Sequence, residues 1–182
     1  MLNPETISVA CQAPLEHVEL IWPLVVEALG TDNTDVLVAA AATIAVETGV
    51  YVDHKSQKFL PIHELGGAEY FTEHYEGRED LGNTEEGDGV LFHGRGLIQI
   101  TGRANYQQVG DAISVDLVGA PDAALDPETS ALIFGWFFNH HGVTDAARNH
   151  NWVRCRKLVN GGTNGLDLFQ NYVAALLTHV EA

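Results

Sequence analysis

Cysteine is nearly absent from the sequence, and the two residues present, Cys11 and Cys155, lie far apart along the chain. This spacing does not resemble a disulfide scaffold, and the two thiols need not pair. The nine histidines are also scattered, without the spacing of metal ligands. We therefore expect a protein that works without a metal and without a cofactor.

Cationic residues are scarce as well. Nine lysines and arginines stand against 25 aspartates and glutamates, which gives a formal net charge of −16 at pH 7. On electrostatic grounds, nucleic acid and anionic membranes are poor partners for such a chain. Most of these carboxylates are expected to form a solvated acidic surface.

Long apolar runs are missing too. No stretch approaches the length of a membrane span, and Met1–Glu5 lack the basic and apolar regions of a signal peptide. We expect synthesis in the cytoplasm without export by that route. Because 46% of the 182 residues are hydrophobic, we predict a single domain over residues 1–182 with a substantial core.

Several catalytic motifs are also absent. The chain contains no GxSxG elbow, no P-loop, no GxGxxG loop and no HExxH pair. Nucleophile-elbow hydrolases, phosphate-binding loops, dinucleotide folds and zinc peptidases are therefore not indicated.

The sequence is instead rich in helical patterns. Apolar residues recur at helical spacing over residues 15–29, and a nearly wholly apolar helix is predicted over residues 36–46. Residues 50–63 are predicted as loop, and an acidic, loop-rich lobe follows. The remaining predicted helices are Ala68–Tyr75, one that starts at Asp126 and Pro127, Thr144–Arg148, Trp152–Val159 with Asn151 as cap, and one that starts at Leu166.

Glu47 ends the apolar helix, directly before Thr48 and Gly49. A carboxyl group at the edge of an apolar helix is desolvated, which favours its protonated form and suits it to proton transfer near neutrality. The competing interpretation is a glutamate that merely reaches water at a frayed helix end.

The stretch Phe92–Tyr106 concentrates glycine, arginine, amide and hydroxyl side chains around a short apolar core. We predict an extended run over Leu97–Ile100, and then a helix that Thr101 caps and Gly110 stops. The alternative is a tight turn whose polar groups satisfy only one another. In the functional interpretation, three side chains lie near one junction and orient water or sugar hydroxyls: Gln99, Thr101 and Asn105.

A carboxyl group beside amide and hydroxyl neighbours is typical of glycosidases, which use two carboxylates, one as acid and one as base. Glu47 fits the acid, whereas the acidic lobe offers many candidates for the base. A second glycine-rich loop, Asn160–Gly165, is predicted to bring backbone close to a ligand, with Asn160 bonded to it.

These features resemble the catalytic domain of glycoside hydrolase family 19, in the form found in phage endolysins. The resemblance implies a mainly α, lysozyme-like, two-lobed α(+β) fold with a sugar-binding cleft between the lobes. The matching pieces occur between residues 46 and 165: Val46–Gly49, Tyr75–Arg78, Asp80–Asn83, Gly87–Gly89, Phe92–Tyr106 and Leu158–Gly165.

By this resemblance Glu47 is the general acid, and Thr101 holds the attacking water. The position of the base is harder to match to this sequence, because the segment after Glu47 varies in length within the family. We assign the base to Glu64. The reserve candidates for the base are Glu69, Glu73 and Glu76. The residues assigned to substrate binding are Gln99, Asn105, Asn160, Arg95 and Tyr106.

Plant chitinases of this family read Gly-Arg-Gly-Pro-Ile-Gln-Leu-Ser, where this chain has Leu97 and Thr101 in place of the proline and serine. These two residues are similar to those of endolysins. They favour bacterial cell-wall peptidoglycan as the substrate, cleaved at β-1,4 bonds with inversion. The alternatives are a chitinase acting on β-1,4-linked N-acetylglucosamine and a non-catalytic glycan-binding protein on the same scaffold. We expect a monomer without a separate wall-binding module, which reaches the wall after release by a holin or lysis.

Overall fold

The structure is a computed structural model and describes residues 2–49 and 58–180. The described residues contain ten α-helices and one antiparallel pair of short strands. The helices are α1 Pro4–Cys11, α2 Leu15–Leu29, α3 Thr34–Glu47, α4 Ala68–Tyr75, α5 Asp88–Leu91, α6 Arg103–Ile113, α7 Pro127–His140, α8 Val143–Arg148, α9 Trp152–Asn160 and α10 Leu166–Val180, and the strands are β1 Ile62–His63 and β2 Arg95–Gly96.

Helix α3 lies at the centre of the core. It begins where the Asn33 side chain accepts a hydrogen bond from the amide of Val36, and every residue from Val36 to Val46 is buried. Helices α1, α8, α9 and α10 all pack against it. Because an all-apolar helix is stable in water only when it is covered on every side, this packing fixes the position of Glu47 at its end.

Helices α2 and α7 form the other large contact of the helical lobe. Gly135 in α7 allows the close approach, since a Cβ atom there would lie 2.5 Å from the carbonyl oxygen of Ala28. Pro23 lies inside α2 rather than at its first turn, so the helix continues through it.

The second lobe consists of short elements between α3 and α6. Ile62 pairs with Gly96 and His63 with Arg95 in the two-stranded sheet, and α4 packs against α5. Arg103 is the first residue of α6, and it contacts this lobe. Its guanidinium donates hydrogen bonds to both carboxylate oxygens of buried Asp88, at 2.9 and 2.5 Å. The acidic lobe predicted from the sequence is therefore held by specific polar contacts.

The helices predicted outside the stretch Phe92–Tyr106 are confirmed. The Asp126 side chain caps α7 by accepting from the amide of Thr129, and Asn151 caps α9 by accepting from the amide of Arg154. Helix α1 was not predicted from the sequence. Of the predicted loop 50–63, residues 50–57 lie outside the described residues, and residues 62–63 form β1.

Two predictions for the stretch Phe92–Tyr106 are wrong. Leu97–Gln99 form a turn between Arg95 and Ile100, which bridge each other, because the Ser130 hydroxyl of α7 accepts from the Leu97 amide and holds the chain there. Helix α6 has Gly102 as its N-cap and runs past Gly110 to Ile113. Gly110 serves close packing instead, since a Cβ atom on it would lie 2.6 Å from the Val115 carbonyl oxygen.

Both cysteines are buried free thiols, so the prediction that they need not pair is confirmed. Burial raises the pKa of Cys11 to about 12 and that of Cys155 to about 11. Within residues 2–49 and 58–180, none of the helices has the length and apolar character that crossing a membrane requires.

Candidate functional site

Arg156 of α9 connects the end of α3 with the glycine-rich loop. Its guanidinium donates from Nη1 to Glu47 Oε1, from Nη2 to Asn160 Oδ1 at 3.1 Å, and from Nε to the Asn164 carbonyl at 2.6 Å. The Arg156 side chain is 4% exposed and that of Glu47 is 17% exposed. A planar guanidinium with three engaged nitrogens fixes the direction of its partners more strictly than a lysine could.

This ion pair changes the environment that the sequence predicted for Glu47. The carboxylate lies at the edge of the apolar helix, as expected, but it faces a buried cation rather than apolar side chains alone. Sequence reasoning missed Arg156. The signal was its position four residues before Asn160, which places the two on one face of a helix.

Glu64, directly after β1, is held by two donors from other elements. The Tyr75 hydroxyl donates to Oε1 at 2.6 Å, and the Gly94 amide donates to Oε2 at 3.0 Å. The Glu64 amide in turn donates to the Gly94 carbonyl at 2.7 Å, which continues the pairing of β1 with β2. Tyr75 is a second contact that the sequence did not reveal.

The side chains of Gln99 and Glu64 approach each other beside Gly94. A Cβ atom on Gly94 would lie 3.0 Å from both Gln99 Oε1 and Glu64 Oε2, so the two side chains converge where this glycine has none. The Gln99 amide nitrogen donates to the carbonyls of Ile62 and Gly96, each at 2.9 Å. The backbone of Gln99 has φ +57°, in the left-handed region, and the turn directs its side chain back toward β1.

The reserve carboxylates are placed differently. Glu69 and Glu73 are exposed on α4. Glu76 binds the amides of Gly87 and Gly89 at 2.6 and 2.8 Å and so closes the turn before α5. Glu64 and Glu76 are both half-buried, but of the four candidates only Glu64 approaches a predicted substrate residue, Gln99.

Thr101 and Asn105 line a cavity of about 220 Å³. The Thr101 hydroxyl donates to the Gln99 carbonyl at 3.2 Å, and the Asn105 amide donates to the Thr101 carbonyl at 2.7 Å. The predicted junction of these three residues is therefore present, although no helix cap creates it. The other residues that line the cavity are mostly apolar: Leu81, Ile98, Ile100, Val109, Trp136, Phe137, His141 and Val159.

Two residues on the cavity wall, Gln99 and Val159, lie next to residues that contact the carboxylates or their partners. Gln99 on its wall meets Glu64 at Gly94, and Val159 on its wall directly precedes Asn160, which Arg156 links to Glu47. The contacts thus form two groups of predicted site residues: Glu64, Gln99, Thr101 and Asn105 in one, and Glu47 and Asn160, joined by Arg156, in the other.

Arg95 and Tyr106 are in the core instead. They are 5% and 0% exposed, and the Tyr106 hydroxyl bonds the His93 carbonyl at 2.8 Å and Arg95 Nη1 at 3.0 Å. Arg95 Nε also pairs with Asp122. Burial raises the pKa of Tyr106 to about 12. The assignment of both to substrate binding is therefore corrected: they support the turn from inside.

His63 of β1 and His93 lie side by side. His63 Nδ1 and His93 Nε2 are 3.0 Å apart, and the His93 ring stacks on Phe71 with centroids 4.3 Å apart. Burial lowers the pKa of His93. Across the part of the chain that the structure describes, no three side chains of histidine, cysteine, aspartate or glutamate gather in a way that could hold a metal ion.

Comparison with known proteins finds similarity to one family over part of the chain. The family model of glycoside hydrolase family 19, described as class I chitinase, matches residues 72–156. A family 19 domain-containing protein of Haemophilus influenzae is 31% identical over 93 residues, which are 51% of this chain and 44% of that protein. Over about half of its length the chain is therefore similar to proteins of glycoside hydrolase family 19.

Plant chitinases match a shorter segment at higher identity. Chitinase 8 of Oryza sativa is 46% identical over 48 residues, 26% of this chain and 18% of that protein. An acidic 27 kDa endochitinase of Solanum lycopersicum is 48% identical over 51 residues, 28% of this chain and 21% of that protein. The chain spans less than half the length of each of these three relatives.

Solved structures extend the likeness to almost the whole chain. A mutant of chitinase C matches with a TM-score of 0.66 at 18% identity, over 96% of this chain and 92% of that one. Chitinase C from Streptomyces griseus matches with a TM-score of 0.61 at 17% identity, over 98% and 75%. These matches confirm the predicted mainly helical, lysozyme-like fold of the family.

Proposed function

We propose that this chain is a glycoside hydrolase that cleaves the β-1,4 bonds of the peptidoglycan glycan strand with inversion. The observation that carries the proposal is that two carboxylates are separately fixed, while a cavity of about 220 Å³ is lined by Gln99, which approaches Glu64, and by Val159, which precedes Asn160. Glu47 is held by Arg156, and Glu64 is held by Tyr75 and Gly94. Two oriented carboxyl groups beside a cavity are the equipment that acid and base catalysis of glycoside hydrolysis needs.

In this mechanism Glu47, in its protonated form, gives its proton to the glycosidic oxygen as the bond to the anomeric carbon breaks. Glu64 takes a proton from a water molecule, whose oxygen bonds to the anomeric carbon from the opposite face. Arg156 pairs with the carboxylate that remains on Glu47. Proton exchange with solvent then restores both groups for the next turnover.

The substrate is oriented by the remaining side chains of the site. Thr101 holds the attacking water, and the amides of Gln99, Asn105 and Asn160 bond hydroxyl and acetamido groups of the sugar. The half-buried rings of Trp136 and Phe137 supply apolar surface on the cavity wall. Aromatic surface with a few fixed polar groups suits a sugar ring, which has both apolar faces and polar edges.

The choice of peptidoglycan rests on Leu97 and Thr101, which replace the proline and serine of plant chitinases. The second candidate is a chitinase, which the names of the plant relatives support. We further propose that the chain acts as a monomeric single domain and meets the wall after release from the cytoplasm.

Digestion of purified peptidoglycan and of chitin oligosaccharides, followed by mass spectrometry of the products, tests the proposal. We expect new reducing ends from peptidoglycan at a higher turnover than from chitin, and the identity of the end sugar names the bond. Preferential turnover of chitin would support the second candidate. Binding of glycan without any new reducing end would instead indicate a non-catalytic glycan-binding protein.

The stereochemistry is tested separately. Proton NMR of the first product formed from a soluble oligosaccharide should show the α anomer before mutarotation, because a single displacement inverts a β bond. A β product would indicate a double displacement and would contradict the assignment of Glu64 as the base of a single displacement.

A further inference from the structure

Nearly all the described cationic side chains are engaged in the fold. Five arginines pair with carboxylates within 4 Å, and Lys58 is buried against the Cys11 carbonyl and the Tyr172 hydroxyl. The two that remain, within residues 2–49 and 58–180, are Arg154 and Lys157, and both are exposed. The paired arginines are Arg78, Arg95, Arg103, Arg148 and Arg156.

Arg154 and Lys157 lie on α9, the helix that carries Arg156 and ends at Asn160. Positions three residues apart are neighbours on a helix surface, so Arg154, Lys157 and Asn160 form one row. The row is about 9 Å long, since each helical residue rises about 1.5 Å. It runs along exposed helix surface to the asparagine that we assign to the substrate cleft.

The segment of sequence that carries the row is rich in cations in an otherwise acidic chain. Residues 143–160 contain four lysines and arginines and one carboxylate, whereas the whole chain has a net charge of −16. Arg154 also lines a depression of about 340 Å³ together with the amide side chains of Asn149 and Asn151. The sole carboxylate there, Asp145, lies 3.8 Å from Arg148.

We propose that Arg154 and Lys157 bind anionic groups carried by the glycan strand as it leaves the cleft at Asn160. The inference rests on the proposed function and narrows its substrate to glycans with carboxylate or phosphate groups. Arg154 and Lys157, which pair with no carboxylate among residues 2–49 and 58–180, attract such a strand locally, although the rest of the protein repels it. A neutral N-acetylglucosamine polymer gains nothing from them.

Co-sedimentation with insoluble peptidoglycan at low ionic strength tests this inference without requiring catalysis. Arg154→Gln and Lys157→Gln should each weaken binding about two- to fivefold, the range expected for one exposed ionic contact. Arg78→Gln is the matched control, because it removes one exposed cation outside this row and should leave binding unchanged. Binding that is equal in all variants, or equally weakened in Arg78→Gln, would overturn the inference.

Salt and substrate charge provide the second arm of the experiment. Wild-type binding should weaken as salt is raised, whereas the double variant, with a net charge of −18 instead of −16, should bind more tightly as salt screens its repulsion. Peptidoglycan with and without attached phosphate polymers distinguishes carboxylate from phosphate as the anion. Turnover of neutral chitin oligosaccharides should be equal in wild type and variants, and a loss there would also overturn the inference.

The two proposals fail in different ways. If wild type cleaves neither substrate, the proposed function fails, whatever the binding assay shows. If wild type cleaves peptidoglycan but the charge variants bind and cleave it like wild type, only the role of Arg154 and Lys157 fails.

Discussion

Arg156 holds the carboxylate of Glu47 although 109 residues separate them in the sequence. The pair forms where α9 packs against the end of α3, and the same guanidinium binds Asn160. One side chain thus sets the position of the proposed acid and of a substrate-binding amide together. Displacing Arg156 should therefore disturb both.

Arg156→Met should lower the turnover of peptidoglycan by about a hundredfold or more, since a misplacement of about 1 Å at a reacting group can cost that much. It should also lower the free energy of unfolding by about 3–5 kcal/mol, because it leaves a carboxylate without its buried partner. Steady-state kinetics and urea unfolding measure the two effects. For Arg156→Lys, turnover and stability should lie between those of wild type and Arg156→Met, because lysine keeps the charge but lacks the planar set of donors of a guanidinium.

Arg148→Met is the matched control, because Arg148 is half exposed and pairs with an exposed carboxylate at 3.8 Å. It should leave turnover and stability close to wild type. A folded Arg156→Met protein with wild-type turnover would show that Glu47 does not need this contact.

Gly94→Ala tests the meeting of Glu64 with Gln99. A Cβ atom 3.0 Å from an oxygen of each side chain should push one or both aside and lower turnover at least tenfold. Gly67→Ala is the control, because no atom lies within 4 Å of a Cβ there and its backbone is extended. Equal turnover of the two variants would mean that the placement of Glu64 and Gln99 is not critical.

The pair of Asp88 with Arg103 predicts a stability that depends on pH. The hydrogen bonds from Arg103 hold the pKa of Asp88 below its ordinary value, so the pair stabilises the fold above about pH 4, the value for an unfolded aspartate. This contribution is lost as pH falls through the lowered pKa of the folded state. Asp88→Asn should therefore unfold at lower urea than wild type at pH 7, and the difference should shrink below about pH 4.

Asp80→Asn provides the comparison for this pH series. Asp80 pairs with Arg78 on the surface, where solvent screens the interaction, and its removal should change the urea midpoint little at any pH. A gap between wild type and Asp88→Asn that stays constant from pH 7 down to about pH 3 would contradict the assigned role of the ion pair.

The sequence predicts those parts of the fold that depend on residues close to each other along the chain. Asp126 and Asn151 predict the starts of helices α7 and α9, and both side chains form the expected caps. The turn at Leu97–Gln99 was not predictable in this way, since Ser130 of a distant helix holds it. Gly110 reads as a helix stop locally, but tertiary packing against Val115 decides its role.

The site shows the same division. The resemblance to family 19 predicts Glu47, Glu64 and Gln99 as site residues, but it does not predict which groups hold their side chains in place. Arg156 and Tyr75 act through contacts between elements that only the folded chain brings together. Arg95 shows the opposite error, because an arginine between two glycines suggests a ligand, whereas its side chain is buried beneath the turn.

The central claim is that Glu47 and Glu64 are the acid and the base. Its most direct test is the initial rate at which reducing ends are released from peptidoglycan by Glu47→Gln, Glu64→Gln and Glu73→Gln, with folding checked by thermal unfolding. We predict that the first two lose about 10²- to 10⁴-fold in rate, the usual contribution of a general acid or base, and that the exposed Glu73 variant matches wild type. Wild-type rates for a folded Glu47→Gln or Glu64→Gln protein would contradict the account.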